Sequence, residues 1–145
     1  MSKLRFALIG CGRIGQRHAH HIRKNGELIA VCDIDPAKAA ATAEEFNSKS
    51  FASLNDLLEN HKKDLDVVSI CTPNGLHAEQ SIKALQAGFH VLCEKPMALT
   101  VHDCGEMIKA AEKANRRLFI VKQNRFNPPV EAVKKVIDEG RLGKV

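Results

Sequence analysis

Cys93-Glu94-Lys95-Pro96 sets an acid beside a base at the end of Phe89-His90-Val91-Leu92, an apolar run that reads as a short buried strand. Two charges in that place form either a solvated turn or the working end of an enzyme. Pro96 fixes its own φ and biases Lys95 towards an extended backbone. A functional turn is also where a cis proline is tolerated, so the Lys95–Pro96 bond is expected to be cis.

Other residues able to do chemistry sit in comparable positions. Gly10-x-Gly12-x-x-Gly15 follows the apolar run Leu4–Ile9, opens a helical stretch, and precedes an acid, Asp33, by about twenty residues. Gly10 permits a tight turn, Gly12 lets the backbone approach a pyrophosphate, and Gly15 lets helix and strand pack closely. The phosphates then face a helix N-terminus, where free N–H groups and the dipole favour anions. A plain turn between strand and helix has no need of the distal acid, so the motif points to a dinucleotide. Asp33 suits the adenosine ribose hydroxyls and repels a 2′-phosphate, which favours NAD over NADP. Asp35, two residues on, is expected to cap the helix that Pro36 opens.

Thr72-Pro73-Asn74-Gly75-Leu76-His77 reads as a turn leading into a helix. His77 falls in the first turn, where the dipole disfavours an imidazolium and leaves a neutral ring. Surface histidine and site histidine both remain open for it. His18, His20 and His21 do not make a metal set, because His20 points away from the other two and no carboxylate completes the group. Helix surface or helix-end packing is the expectation for them, and no metal site is expected.

These residues need elements to position them. Short apolar runs at Leu4–Ile9, Leu28–Cys32, Val67–Cys71, Phe89–Cys93 and Leu118–Lys122, with a weaker one at Lys49–Phe51, read as strands covered on both faces. Helix-period stretches lie between them at Gly12–Lys24, Pro36–Phe46, Ser53–Asn60, Leu76–Ala87 and Thr100–Asn115. In the last of these, Thr100 can cap, and Val101, Cys104, Ile108 and Ala111 share one face. This alternation implies right-handed crossovers and an α/β fold: a doubly wound parallel sheet with helices on both faces. Such sheets bind ligands outside the carboxyl ends of their strands. The glycine motif, Asp33, Thr72-Pro73-Asn74, Glu94-Lys95-Pro96 and Gln123-Asn124-Arg125 all follow strands, so five loops converge on one edge.

The bulk properties agree with one such domain. The chain has 145 residues, 44% apolar and 27% charged, with no run long enough to span a membrane. Its net charge of +5 comes from dispersed residues, the densest groups being the pairs Lys62-Lys63 and Arg116-Arg117, and Trp and Tyr are absent. That excludes a basic nucleic-acid stripe with stacking aromatics. Five cysteines without a C-x-x-C argue against disulfides or zinc and for a reducing cytoplasm.

Taken together, Gly10-Cys11-Gly12-Arg13-Ile14-Gly15 with His18, then Asp33, Cys71-Thr72-Pro73-Asn74 with His77, and Glu94-Lys95-Pro96 resemble the Gfo/Idh/MocA family of sugar and inositol oxidoreductases. The resemblance implies that family's N-terminal Rossmann domain over residues 1–122. Residues 123–145 would be a connecting segment and helix leading to a C-terminal substrate domain that this chain lacks. It further implies that Glu94 and Lys95 lie beside the nicotinamide, with Lys95 contacting the reacting carbinol or helping its proton leave. Arg13, Ile14, Thr72, Pro73 and Asn74 would line the cofactor, His77 would lie near it, and Gln123 and Arg125 would close the nicotinamide pocket. The run Lys122–Pro129 resembles members that oxidise the 3-hydroxyl of UDP-linked amino-sugar uronates in lipopolysaccharide biosynthesis. Inositol and aldose dehydrogenases of the same family remain open, as does a non-catalytic dinucleotide-binding module. The missing domain would supply most of the substrate pocket and the homo-oligomer contacts, so this chain alone is expected to bind NAD without turnover.

Overall fold

Apolar runs of this length are buried on both faces only if helices cover both, and the chain supplies those helices in alternation. The computed structural model describes residues 3–61 and 64–144; the pair Lys62-Lys63 lies outside the described residues. The order is β1 (Leu4–Ile9), α1 (Arg13–Asn25), β2 (Gly26–Cys32), α2 (Pro36–Phe46), β3 (Lys49–Phe51) and α3 (Leu54–Asn60). It continues with β4 (Val67–Ile70), α4 (His77–Gln86), β5 (His90–Cys93), α5 (Val101–Ala114), β6 (Leu118–Ile120) and α6 (Pro128–Asp138). Short 3₁₀ turns occupy Asn74–Leu76 and Gln123–Phe126.

The six strands form one parallel sheet in the order β3-β2-β1-β4-β5-β6. The winding reverses between β1 and β4, which opens a crevice there at the carboxyl edge. Side chains alternate across the sheet, so Ala7, Ile9, Val68, Ile70 and Val91 pack on the side of α3, α4 and α5. Leu8 packs on the other side with Ala19 and Ile22 of α1 and Ala43 and Phe46 of α2. Partner register shifts between Phe6 and Ala7, which pair with Leu28 and Ala30, so Ile29 is an extra residue. That bulge lets Leu28 and Val31 share one face while Ala30 and Cys32 share the other.

Local signals account for the helix starts. Asp35 accepts N–H bonds from Ala37 and Lys38, which together with the Lys38 ammonium hold its carboxyl below the usual range. Ser53 and Thr100 cap α3 and α5 by accepting from Asp56 and Asp103.

Two expectations need correction. The sixth strand ends at Ile120 instead of Lys122, because it is an edge strand with only β5 to pair with. In α5 the inward face is centred on Met107 and Ala111, whereas Val101 is 90% exposed and Ile108 49% exposed. Val101 lies at the helix start, outside the packed face, and Ile108 lies on its margin beside Met97 and Leu118. Among the described residues, no helix is long and apolar enough to cross a membrane.

Candidate cofactor and active site

The glycine loop is built for a phosphate. Gly10 has φ +92°, and a Cβ there would meet the Cys71 carbonyl oxygen at 2.7 Å. A Cβ on Gly15 would stand 2.0 Å from the Gly10 carbonyl oxygen, so the helix can approach the turn only without a side chain. Gly12 differs: nothing lies within 4 Å of a Cβ built there. The space above it is open, as a ligand's close approach requires. α1 begins at Arg13 with no side-chain cap and no acid in its first turn, which leaves its N–H groups to an anion. The three glycines therefore fit a dinucleotide pyrophosphate, each for its own physical reason.

Asp33 is fixed at the mouth of β2. Its Oδ2 accepts the Cys11 N–H at 2.7 Å and its Oδ1 the Asp35 N–H at 2.9 Å. Loop and acid are thereby locked together before any ligand arrives. A cleft of about 820 Å³ runs from Gly10, Gly12 and Asp33 past Ile34 to Thr72 and Pro73, and its size suits half a dinucleotide. Gln80 on α4 also lines it and accepts the Thr72 hydroxyl proton at 2.6 Å. The sequence offered no motif that singled Gln80 out.

A second cleft, of about 350 Å³, shares Arg13, Ile14 and Thr72 with the first. Its wall adds Asn74, His77, Glu94, Lys95 and Gln123, together with Arg17, which the motif reading passed over. Arg17 follows Arg13 by one helical turn, and that i, i+4 spacing was the available signal. Arg125 does not join this wall. It lies along a separate groove with Phe126 and Val130, because the 3₁₀ turn at Gln123–Phe126 sends the two side chains apart. Gly15 is buried in packing and does not line either cleft.

Glu94 and Lys95 do not pair with each other through their side chains. Glu94 is 7% exposed, and its Oε1 meets His18 Nε2 at 2.9 Å. Its Oε2 accepts the Lys95 main-chain N–H at 3.1 Å. The Lys95–Pro96 bond is cis, in agreement with the expectation from the sequence.

His18 corrects the surface reading. Its ring lies between Glu94 and Ser69, with Nδ1 2.8 Å from the Ser69 hydroxyl. The signal was the stripe Gly15, His18, Ala19, Ile22, which follows i, i+3, i+4, i+7 and faces the sheet. His20 stays exposed, with its ring edge on Phe46, and His21 is exposed. Among the described residues no group of three or more His, Cys, Asp or Glu could hold a metal.

His77 is not a surface histidine; it is buried against the wall of the second cleft. It is 1% exposed, with Nδ1 2.7 Å from the Pro96 carbonyl oxygen and Nε2 2.9 Å from that of Thr72.

Four cysteines cluster near the strand ends and all five are free thiols. Burial pushes the Cys71 thiol up to about 12 and those of Cys32 and Cys93 to about 11. They are packing groups, not nucleophiles.

Known proteins share this fold. The chain superposes on the WlbA dehydrogenase of Chromobacterium violaceum, solved with NADH and UDP-GlcNAcA, with a TM-score of 0.93 and 48% identity over 99% of this chain and 42% of that one. It is 36% identical to the D-glucoside 3-dehydrogenase of Escherichia coli, covering 99% of this chain and 43% of that protein. It is also 36% identical to the inositol 2-dehydrogenase of Rhizobium meliloti, over 98% and 43% respectively. The chain thus spans less than half the length of the relatives it matches. Residues 4–122 match the model of the Gfo/Idh/MocA oxidoreductase family, NAD-binding Rossmann fold, and with its glycine loop, Asp33 and doubly wound sheet the chain belongs to that family.

Proposed function

We propose that the chain is the cofactor domain of a dehydrogenase that moves a hydride between a sugar carbinol and the nicotinamide of NAD. The observation that carries this reading is the position of Lys95 on the wall of a cleft continuous with the nucleotide cleft. Bound NAD supplies the hydride acceptor. The chain's own residues do the rest: Gly10, Gly12 and the N-terminus of α1 take the pyrophosphate, and Asp33 takes the adenosine ribose. Ile14, Thr72, Pro73 and Asn74 line the path, while Glu94, His77 and Gln123 flank the reacting end. Lys95 is the catalytic residue, polarising the carbinol or relaying its proton.

The charge of the second cleft favours an anionic sugar. Arg13, Arg17 and Lys95 face it against one carboxylate, Glu94, and that carboxylate is already engaged by His18. The cofactor's pyrophosphate accounts for one of these cations, which leaves positive charge for a uronate or a nucleotide diphosphate. This supports a UDP-linked amino-sugar uronate over a neutral inositol or aldose, in line with the ligands of the WlbA structure. Residues 1–122 form the nucleotide-binding domain on this reading, and 123–145 lead to a C-terminal domain that completes the substrate pocket and makes a homo-oligomer. The free thiols suit the cytoplasm.

Binding is tested on this chain by NADH and NADPH fluorescence titration, with NADH expected to bind more tightly. Turnover is tested on the protein carrying the C-terminal domain, with UDP-GlcNAcA and myo-inositol compared by nicotinamide absorbance. Oxidation of the UDP-sugar, lost in Lys95→Met with NADH affinity retained, is the expected result. Preference for myo-inositol overturns the substrate reading, and full activity of Lys95→Met overturns the role of the lysine.

A further inference from the structure

Lys95 carries its ammonium on a flexible four-carbon stem, is exposed, and lies just past the end of β5, beyond the last sheet hydrogen bonds of that strand. A lysine so placed has no reason to point in one direction unless its chain neighbours are held. Both neighbours are held, and each by a histidine from a different helix.

We propose that His18 and His77 are positioning residues for Lys95, His18 acting through Glu94 and His77 through Pro96; the catalytic consequence rests on the reading of Lys95 above. On one side, α1 brings His18 Nε2 to Glu94 Oε1 at 2.9 Å, and Glu94 Oε2 accepts the Lys95 N–H at 3.1 Å. His18 is itself fixed from below by the Ser69 hydroxyl at 2.8 Å, on a fully buried residue of β4. On the other side, α4 brings His77 Nδ1 to the Pro96 carbonyl oxygen at 2.7 Å. His77 Nε2 reaches the Thr72 carbonyl oxygen at 2.9 Å, which ties the loop after β5 to the loop after β4. The main chain of Lys95 is thus pinned at its own N–H and at the next carbonyl, from opposite faces of the sheet. Both histidines are largely out of solvent, with 11% of the His18 side chain and 1% of His77 exposed. Exchange with water therefore competes poorly with these bonds.

A histidine present only to fill space would not care which ring nitrogen is replaced. The geometry says that it matters, and in opposite senses at the two positions. Counted in bonds from Cβ, the amide nitrogen of Gln stands where Nε2 stands and that of Asn where Nδ1 stands. His18→Gln keeps the donor to Glu94 and His18→Asn loses it. His77→Asn keeps the donor to Pro96 and His77→Gln loses it.

The readout is the environment of the Lys95 amine. Lysines of this chain are reductively methylated with isotope-labelled formaldehyde, and the Lys95 methyl signal is assigned by its loss in Lys95→Arg. In the unsubstituted chain it is expected apart from the signals of solvated lysines. It should stay apart in His18→Gln and His77→Asn, and merge with them in His18→Asn and His77→Gln. Thermal midpoints are measured alongside and should fall to a similar extent within each pair, since each variant sacrifices one ring contact. The proposal is overturned if the two variants at a position behave alike, or if Lys95 already resonates with the solvated lysines before substitution. A crossed pattern at one position alone overturns the assignment of the other histidine. A Lys95 that proves dispensable for hydride transfer refutes the catalytic reading and leaves this readout unchanged, so the two failures are separable.

Discussion

Gly12 and Gly15 are three residues apart and predict opposite consequences of the same change. Gly12 has φ −72° and empty space around its missing Cβ, so Gly12→Ala should leave the thermal midpoint nearly unchanged. NADH affinity should nevertheless fall by about tenfold, since a methyl group now stands where the phosphate approaches. Gly15→Ala places a Cβ 2.0 Å from a backbone oxygen, so α1 must move away from the loop. Stability and affinity should then fall together, by calorimetry and by titration. Asp33 belongs to the same scale. The sequence marked it as a ribose acceptor, but not that its two oxygens already hold Cys11 and Asp35 in register. Asp33→Ala should therefore loosen the glycine loop as well as remove a cofactor contact, so that NADH binding weakens and its margin over NADPH narrows without NADPH binding becoming tight.

At the level of elements, α5 shows how a helix can be correct in extent and wrong in facing. Its start is set by Thr100, whose hydroxyl accepts the Asp103 N–H at 3.0 Å. Thr100→Ala should cost about 1 kcal/mol in urea unfolding, while Thr100→Ser should cost little. Its buried face was misassigned because Val101 and Ile108 satisfy the helical period yet stay exposed, whereas Met107 is fully buried. Periodicity selects a stripe of apolar residues, but the sheet's position decides which overlapping stripe is covered. The same limit hid His18, a polar residue on an otherwise apolar stripe, whose partners Ser69 and Glu94 lie 51 and 76 residues away.

For the whole molecule, one ion pair joins the entrances of two central strands. Arg5 at the start of β1 meets Asp66 just before β4, with Nη2 3.1 Å from Oδ1 and the Arg5 main-chain N–H 2.8 Å from Oδ2. The Arg5 guanidinium, helped by that N–H, holds the Asp66 carboxyl below its usual range. A carboxyl lowered in the folded state stabilises the fold above its unfolded value, about 3.9, and loses that contribution as pH falls through the folded value. Urea midpoints should accordingly drop between about pH 5 and pH 2 by more in the unsubstituted chain than in Asp66→Asn. The pair is about one-third exposed, so the difference should be modest. Cofactor binding acts on the same global equilibrium. NADH at about a hundred times its Kd should stabilise the chain by about 2.7 kcal/mol, read as a raised thermal midpoint.

Much of this protein was set by sequence alone. Strand-helix alternation, the glycine spacing with its distal acid, and the polar residues after each strand follow from local periodicity and turn chemistry, and these specify the sheet and the edge that carries the site. The tertiary structure decided which polar side chains meet across that edge. It turned Glu94 to His18 and away from Lys95, placed His77 between two carbonyls, recruited Arg17 and Gln80, and sent Arg125 elsewhere. Those choices depend on helices packing across strands at particular depths and rotations. Such contacts join residues far apart in the chain, and no local pattern of residue types records them.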